Sequence, residues 1–175
     1  DERVQSKDKV LMTNNLNNLE KIINSGLIAG IKSSKISFKQ LTVEIDIENI
    51  SEIILFLKNN EKCKFKQLID VTAIDYPSRE IRFEIIYILL SLSLNIRILV
   101  KTSIIEDQYI HSITSIHKSA NWYERECYDL FGIKFNNHPD LRRIMTDYNF
   151  EGHPLRKDFP LTGHTEVRYD DIEKK

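Results

Sequence analysis

The sequence predicts an α+β domain followed by one further helix and an extended C-terminal arm. Three observations carry this. Apolar patterning gives the order helix, two strands, helix, three strands, and strands clustered this way suit an α+β layer rather than a doubly wound parallel sheet. A third helical pattern follows at 121–131 and closes on Gly132. Beyond Gly132 neither a period of 2 nor one of 3.6 persists, so the rest reads as a segment held by something other than its own core.

The elements follow in order. Over residues 10–24, Val10, Leu11, Leu16, Leu19, Ile22 and Ile23 recur at mostly helical spacing, and Gly26 reads as the stop. Ile36 and Phe38, then Leu41, Val43, Ile45 and Ile47, alternate with polar residues as in half-buried strands. Asn49 or Ser51 is a candidate cap for a helix with Ile53, Ile54 and Leu57 on one face, ending at Asn59-Asn60. Residues 65–73 form a short apolar run that ends in the turn Asp75-Tyr76-Pro77-Ser78. Ile81, Phe83, Ile85, Tyr87 and Leu89 mark a strand, and Ile96, Ile98, Val100 and Thr102 the next, with a hairpin turn between. In the last helix Asn121 is the expected cap, with Glu124 three residues on as in a capping box. The division is an α+β domain at 1–116, then a helix and docking arm at 117–175.

Composition excludes several classes. Lys and Arg total 25 against 26 Asp and Glu, a net charge of −1, which opposes a general polyanion binder. The longest charge-free apolar stretch, Ile85 to Ile96, falls short of the roughly 20 residues a membrane span needs. Cys63 and Cys127 stand far apart with no Cys-x-x-Cys pair, so neither an iron–sulfur cluster nor a structural zinc site is supported. Two free thiols fit an intracellular compartment. The chain has 26 Ile but only 3 Ala, a ratio no fold requires, because other apolar residues of similar volume fill many core sites.

Residues that could carry chemistry are few. Glu124 and Glu126 could do acid–base work, but residues two apart on a helix point to different faces. An ion-pair rim over buried aromatics accounts for them better, with Arg125 and Asp129 four apart and able to pair. Cys127 as a nucleophile is opposed by the neighbouring Glu126, which raises a thiol pKa. His138, His153 and His164 match no zinc spacing, and two of them precede Pro. Arg142-Arg143, Arg156-Lys157 and Arg168 are interleaved with Asp140, Asp147, Asp158, Asp170 and Asp171, which opposes a phosphate stripe. Mixed charges with Tyr148, Phe150, Phe159 and Tyr169 every few residues suit a protein–protein interface better than a solvated tail.

The runs Glu124-Arg125-Glu126, Asp129-Leu130-Phe131-Gly132 and His138-Pro139-Asp140-Leu141-Arg142-Arg143-Ile144 resemble the thirty-kilodalton (C-type) subunit of proton-pumping NADH:ubiquinone oxidoreductase, respiratory complex I. The run from Phe150 through Glu151-Gly152-His153-Pro154-Leu155-Arg156-Lys157-Asp158-Phe159-Pro160-Leu161 strengthens it. Thr146-Asp147-Tyr148, Glu166-Val167-Arg168-Tyr169, Asp75-Tyr76-Pro77-Ser78-Arg79 and Arg82-Phe83-Glu84 add to it, so that it covers about residues 65–173.

The resemblance implies a two-layer domain with a mixed sheet and an arm that wraps against the forty-nine-kilodalton subunit in the peripheral, matrix-side arm. It implies a non-catalytic subunit that binds no cofactor itself, the FMN, iron–sulfur clusters, NADH and ubiquinone belonging to the complex. The partner interface it implies runs over the motif residues, with Arg142, Arg143, Arg156 and Arg168 pairing with acidic partner groups. Asp129, Asp147 and Asp158 would accept from partner or local donors, and Phe150, Phe159 and Tyr169 would fill partner pockets. The motif version looks mitochondrial or bacterial. With the Ile-for-Ala skew, which A+T-rich coding produces, it points to an organelle-encoded mitochondrial protein. The rival readings are a chloroplast-type or hydrogenase-type relative, a stand-alone hydrolase using Glu124 and Glu126, and a nucleic-acid module using the Arg pairs.

Overall fold

A computed structural model describes residues 15–26 and 30–174. Helix α1 spans residues 15–26 and buries Leu16, Leu19 and Ile23. The expected helical positions Val10 and Leu11 lie outside the described residues. Gly26 is the last helical residue described, and an added Cβ there would fall 2.5 Å from the Phe56 ring.

Strands β1 (Ile31–Ser37) and β2 (Gln40–Ile45) form an antiparallel hairpin. Phe38 is not a strand residue as its spacing suggested. It and Lys39 form the turn at φ +49 and +61, and its ring is fully exposed. Two successive positive φ values match the hairpin turn whose twist suits flanking strands. Ile47 likewise leaves the strand pattern for a single 3-10 turn, Ile47–Asn49. Helix α2 (Ile50–Asn59) then buries Ile50, Ile53, Ile54 and Leu57. Asn49 occupies its N-cap position but makes no side-chain cap bond, and Ser51 lies inside the helix.

Strands β3 (Gln67–Asp75), β4 (Phe83–Ser91) and β5 (Ile96–Ile104) form an antiparallel meander, joined by the two turns the sequence predicted. The sheet order is β1-β2-β5-β4-β3, and β2 pairs with β5 in parallel. The sheet is therefore mixed and the domain two-layered. Along β5, Ile96, Ile98, Val100, Thr102 and Ile104 are buried and the intervening residues less so, the period-2 signature of one covered face. The three helices and that face share a single apolar core.

Two short strands escaped the sequence reading. β6 (Tyr109–His111) and β7 (Lys134–Asn136) pair in parallel, with helix α3 (Ala120–Phe131) between them. Three residues each are too few for a periodic signal. Ala120, Cys127, Phe131, Ile133 and Phe135 join the common core, and α3 packs on β3. Asn121 does not cap α3, which begins one residue earlier, after Ser119 and without a side-chain cap. Glu124 is not the far side of a capping box: it is fully buried and turned to residues 112 and 113.

Candidate functional site

Helix α3 carries two fully buried carboxylates, and their surroundings differ in kind. Glu124 accepts from Ser112 Oγ at 2.6 Å and from the Ile113 N–H at 2.8 Å. His138 lies 3.9 Å away but does not neutralise it. The His138 Nδ1 accepts the Asp140 N–H at 3.1 Å, and its Nε2–H points to the Asn121 carbonyl at 3.0 Å. That pattern assigns a neutral ring. Burial therefore dominates: it pushes the Glu124 carboxyl from its ordinary 4.5 to about 7, against the pull of the Ser112 and Ile113 bonds.

Asp129 sits in the last turn of α3, where the helix dipole disfavours a negative charge. Donors from the arm compensate. Its Oδ2 accepts the N–H groups of Ile144, Met145 and Thr146 at 2.9, 2.7 and 2.9 Å. Its Oδ1 accepts Thr146 Oγ1 and Arg143 Nη1, both at 2.8 Å. Burial would raise the carboxyl, but the Thr146 N–H and O–H with the N–H groups of Met145 and Ile144 hold it far below the usual carboxylate range. Arg125 and Asp129 do not pair, contrary to their spacing. Arg125 instead donates through Nε and Nη2 to the carbonyls of Arg142 and Arg143, at 3.0 and 2.9 Å.

An α-helix leaves its last carbonyls without intrahelical partners. In α3 the Gly132 N–H takes that of Tyr128 at 2.9 Å, and the arm supplies the next three. His153 Nδ1–H meets the Asp129 carbonyl at 2.8 Å, the Leu155 N–H that of Leu130 at 3.0 Å, and Arg156 Nε that of Phe131 at 2.7 Å. Gly132 makes this approach possible. Its φ is +78, and an added Cβ would fall 2.5 Å from Arg156 Nη2 and 2.7 Å from the His153 ring.

The next residues tie the arm to the β3–β4 edge. Asp75, buried at the end of β3, accepts both Arg82 Nε and Nη2, at 2.7 and 2.9 Å, and the Lys157 N–H at 2.7 Å. Arg82 Nη2 also reaches Asp158 at 2.9 Å, and Glu106 bridges Arg82 and Arg156 at 3.3 and 2.5 Å. The Arg82 hydrogen bonds, ahead of the other causes, lower the Asp75 carboxyl.

The segment after Gly132 thus has a local anchor that hydrophobic periodicity could not reveal. Arg143, Arg156, Asp129 and Asp158 pair inside the chain. Phe150 and Phe159 pack on each other at 5.8 Å, and the Phe159 ring covers Gly152, so neither ring is freely displayed. Leu141 packs partly against the core. Arg142 pairs with Asp140 on the surface, and Tyr148, Arg168 and Tyr169 are exposed. Pro139, Pro154 and Pro160 sit in the irregular stretches between these ties.

The structure does not bring Glu124 and Glu126 together as an acid–base pair: Glu124 is inside, and Glu126 is half-buried beside Asp70, with burial the larger cause of its raised carboxyl. Cys127 Sγ–H meets the Val71 carbonyl at 3.2 Å, and burial, more than Glu126, pushes its thiol up. His164 stands edge-on to Phe159. Among the described residues no group of three or more His, Cys, Asp or Glu is placed to hold a metal, and no helix is long and apolar enough to cross a membrane.

Sequence reasoning missed the exposed apolar residues of the arm. Met145, Leu155, Leu161, Val167 and Ile172 are all exposed, Leu161 and Ile172 almost completely. Their signal is weak, because they follow no period.

The family model described as Respiratory-chain NADH dehydrogenase, 30 Kd subunit, matches residues 43–165. A C-type NADH-quinone oxidoreductase subunit from Ruegeria pomeroyi is 52% identical over 83% of this chain and 72% of its own length. Its counterpart from Mesorhizobium japonicum is 46% identical over 94% of this chain and 82% of its own. A mitochondrial NADH dehydrogenase [ubiquinone] iron-sulfur protein 3 from Candida albicans is 59% identical over 78% of this chain and 49% of its own. A chain in the structure of an archaeal membrane-bound sulfane sulfur reductase superposes with a TM-score of 0.72 at 23% identity, over 91% of this chain and 97% of that one.

Two outcomes follow from the paired carboxylates. Glu124 keeps its proton in the folded state to about pH 7, so its contribution is complete below 4.5 and lost as pH rises through 7. Glu124→Gln is expected to gain stability relative to the parent between about pH 5 and about pH 8, by up to about 3 kcal/mol, in urea titrations. A gap that stays constant with pH refutes the assignment. Asp129→Asn is expected to cost about 3 kcal/mol or more. In native-state hydrogen exchange it should strip protection from residues 144–146 while β3–β5 keep theirs.

Proposed function

From the premise that this chain belongs to the respiratory-chain NADH dehydrogenase 30 kDa subunit family, we propose that it is a non-catalytic core subunit of the peripheral arm of proton-pumping NADH:ubiquinone oxidoreductase. It packs against the forty-nine-kilodalton subunit and supports assembly and electron transfer from NADH to ubiquinone. FMN, the iron–sulfur clusters, NADH and ubiquinone are held by other subunits.

One observation carries this reading. Many of the arm's polar groups, among them Arg143, Arg156 and the 144–146 N–H groups, are engaged within the chain, while Met145, Leu155, Leu161, Val167 and Ile172 are turned out. Internal ties fix the shape of the surface, and the exposed side chains supply apolar area for a partner. This revises which residues do the docking. Arg143, Arg156 and Asp158 shape the arm, and the apolar residues beside them make contact. The excess of Ile over Ala supports a mitochondrial, organelle-encoded origin on the matrix side of the inner membrane. A nuclear gene of balanced base composition would overturn that origin.

Leu161→Asp with Ile172→Asp is expected to change the stability of the isolated chain by no more than about 0.5 kcal/mol, as surface substitutions do. In cells the same pair should sharply lower the amount of the chain recovered with the forty-nine-kilodalton subunit. Undiminished recovery would remove the basis for the docking face.

A further inference from the structure

A cleft of about 550 Å³ opens between α3 and the arm, lined by Arg125, Arg142, Arg143, Asp147 and Tyr148 among others. Arg142 is paired with Asp140, and Arg143 with Asp129, each at 2.8 Å. Arg125 is different. It is only 8% exposed, yet it has no carboxylate partner among the described residues. Two carbonyl oxygens take its Nε and one Nη2 donor. A guanidinium carries five N–H donors in a planar fork, so its Nη1 edge remains for whatever enters the cleft. A buried cation held only by carbonyl dipoles is a costly arrangement that an incoming anion relieves.

We propose that this cleft is a socket for one carboxylate, an Asp or Glu side chain of the neighbouring subunit, received by the free edge of Arg125. The proposal rests on the assembly role given above and deepens it. Charge matching favours a single carboxylate over a phosphate group. One cation is unmatched, Asp140 already holds Arg142, and Asp147 lines the same cleft, where a doubly charged or repeating anion would be repelled. Tyr148, fully exposed at the same cleft, offers an aromatic surface beside the socket, the usual company of an interface arginine.

The test uses the assembled complex. Arg125→Lys keeps the charge and places an amine in the socket. Tyr148→Lys places one at the rim and leaves Arg125 and its two carbonyl bonds intact, should the first variant fold poorly. Carbodiimide coupling followed by peptide mass spectrometry is expected to join both positions to the same acidic stretch of a neighbouring subunit. Changing that acid to its amide should abolish both links. Coupling to Asp147 or Asp140 of the same chain, or an assembled complex with no link from either position, overturns the socket and leaves the assembly role standing. A chain that joins no complex overturns both.

Discussion

The carboxylate of Asp129 is the point on which the C-terminal third depends. It is buried at the wrong end of a helix for a negative charge, and burial alone would raise its pKa. Three consecutive backbone N–H groups, a hydroxyl and a guanidinium gather around it instead. Those donors come from a stretch with no apolar period and no secondary structure of its own. The charge therefore organises the chain that neutralises it. Once residues 143–146 are fixed there, residues 153–156 are brought to the open carbonyls of α3, and residues 157–158 reach Asp75 and Arg82.

Glu124, five positions earlier, shows the same physics with the opposite balance. It receives two donors where Asp129 receives five, and no cation. Desolvation prevails, and a carboxyl poised near neutrality results. In another setting that value would suggest a general acid. Here the group has no solvent path and holds the loop at 112–114 against the helix. A perturbed carboxyl is a candidate site only when something can reach it.

The helices, the five main strands and both turns of the meander were legible because hydrophobic spacing reports one-sided burial directly, whereas the mixed pairing of the sheet was implied only by the family resemblance. Phe38 misled for the same reason: it stands two residues after Ile36 and extends a period that the chain breaks by turning. β6 and β7 were invisible because parallel pairing of three-residue strands depends on a helix placed between them. The polar interior of α3 was the largest gap. Glu124, Arg125 and Asp129 looked like a solvated rim because charged residues usually are. Their burial is set by donors and acceptors at 112–113 and 142–146, which helical spacing cannot reveal. The resemblance marked these residues as a motif without saying that most serve the chain's own folding.

The ties between arm and domain impose an order in time. The Lys157 N–H meets Asp75 across 82 residues, and Arg156 meets Glu106 across 50. Contacts this distant in sequence bear a loop-closure cost before they return any stability, and they need finished surfaces to land on. The β3–β4 hairpin must place Asp75 beside Arg82, and α3 must present its terminal carbonyls, before the arm has anything to hold. The arm follows in sequence the surfaces it lands on, so it is made after them and settles after them. Its outward apolar residues acquire a defined spacing only when everything beneath them is in place, so the finished surface is itself a report that the domain has folded.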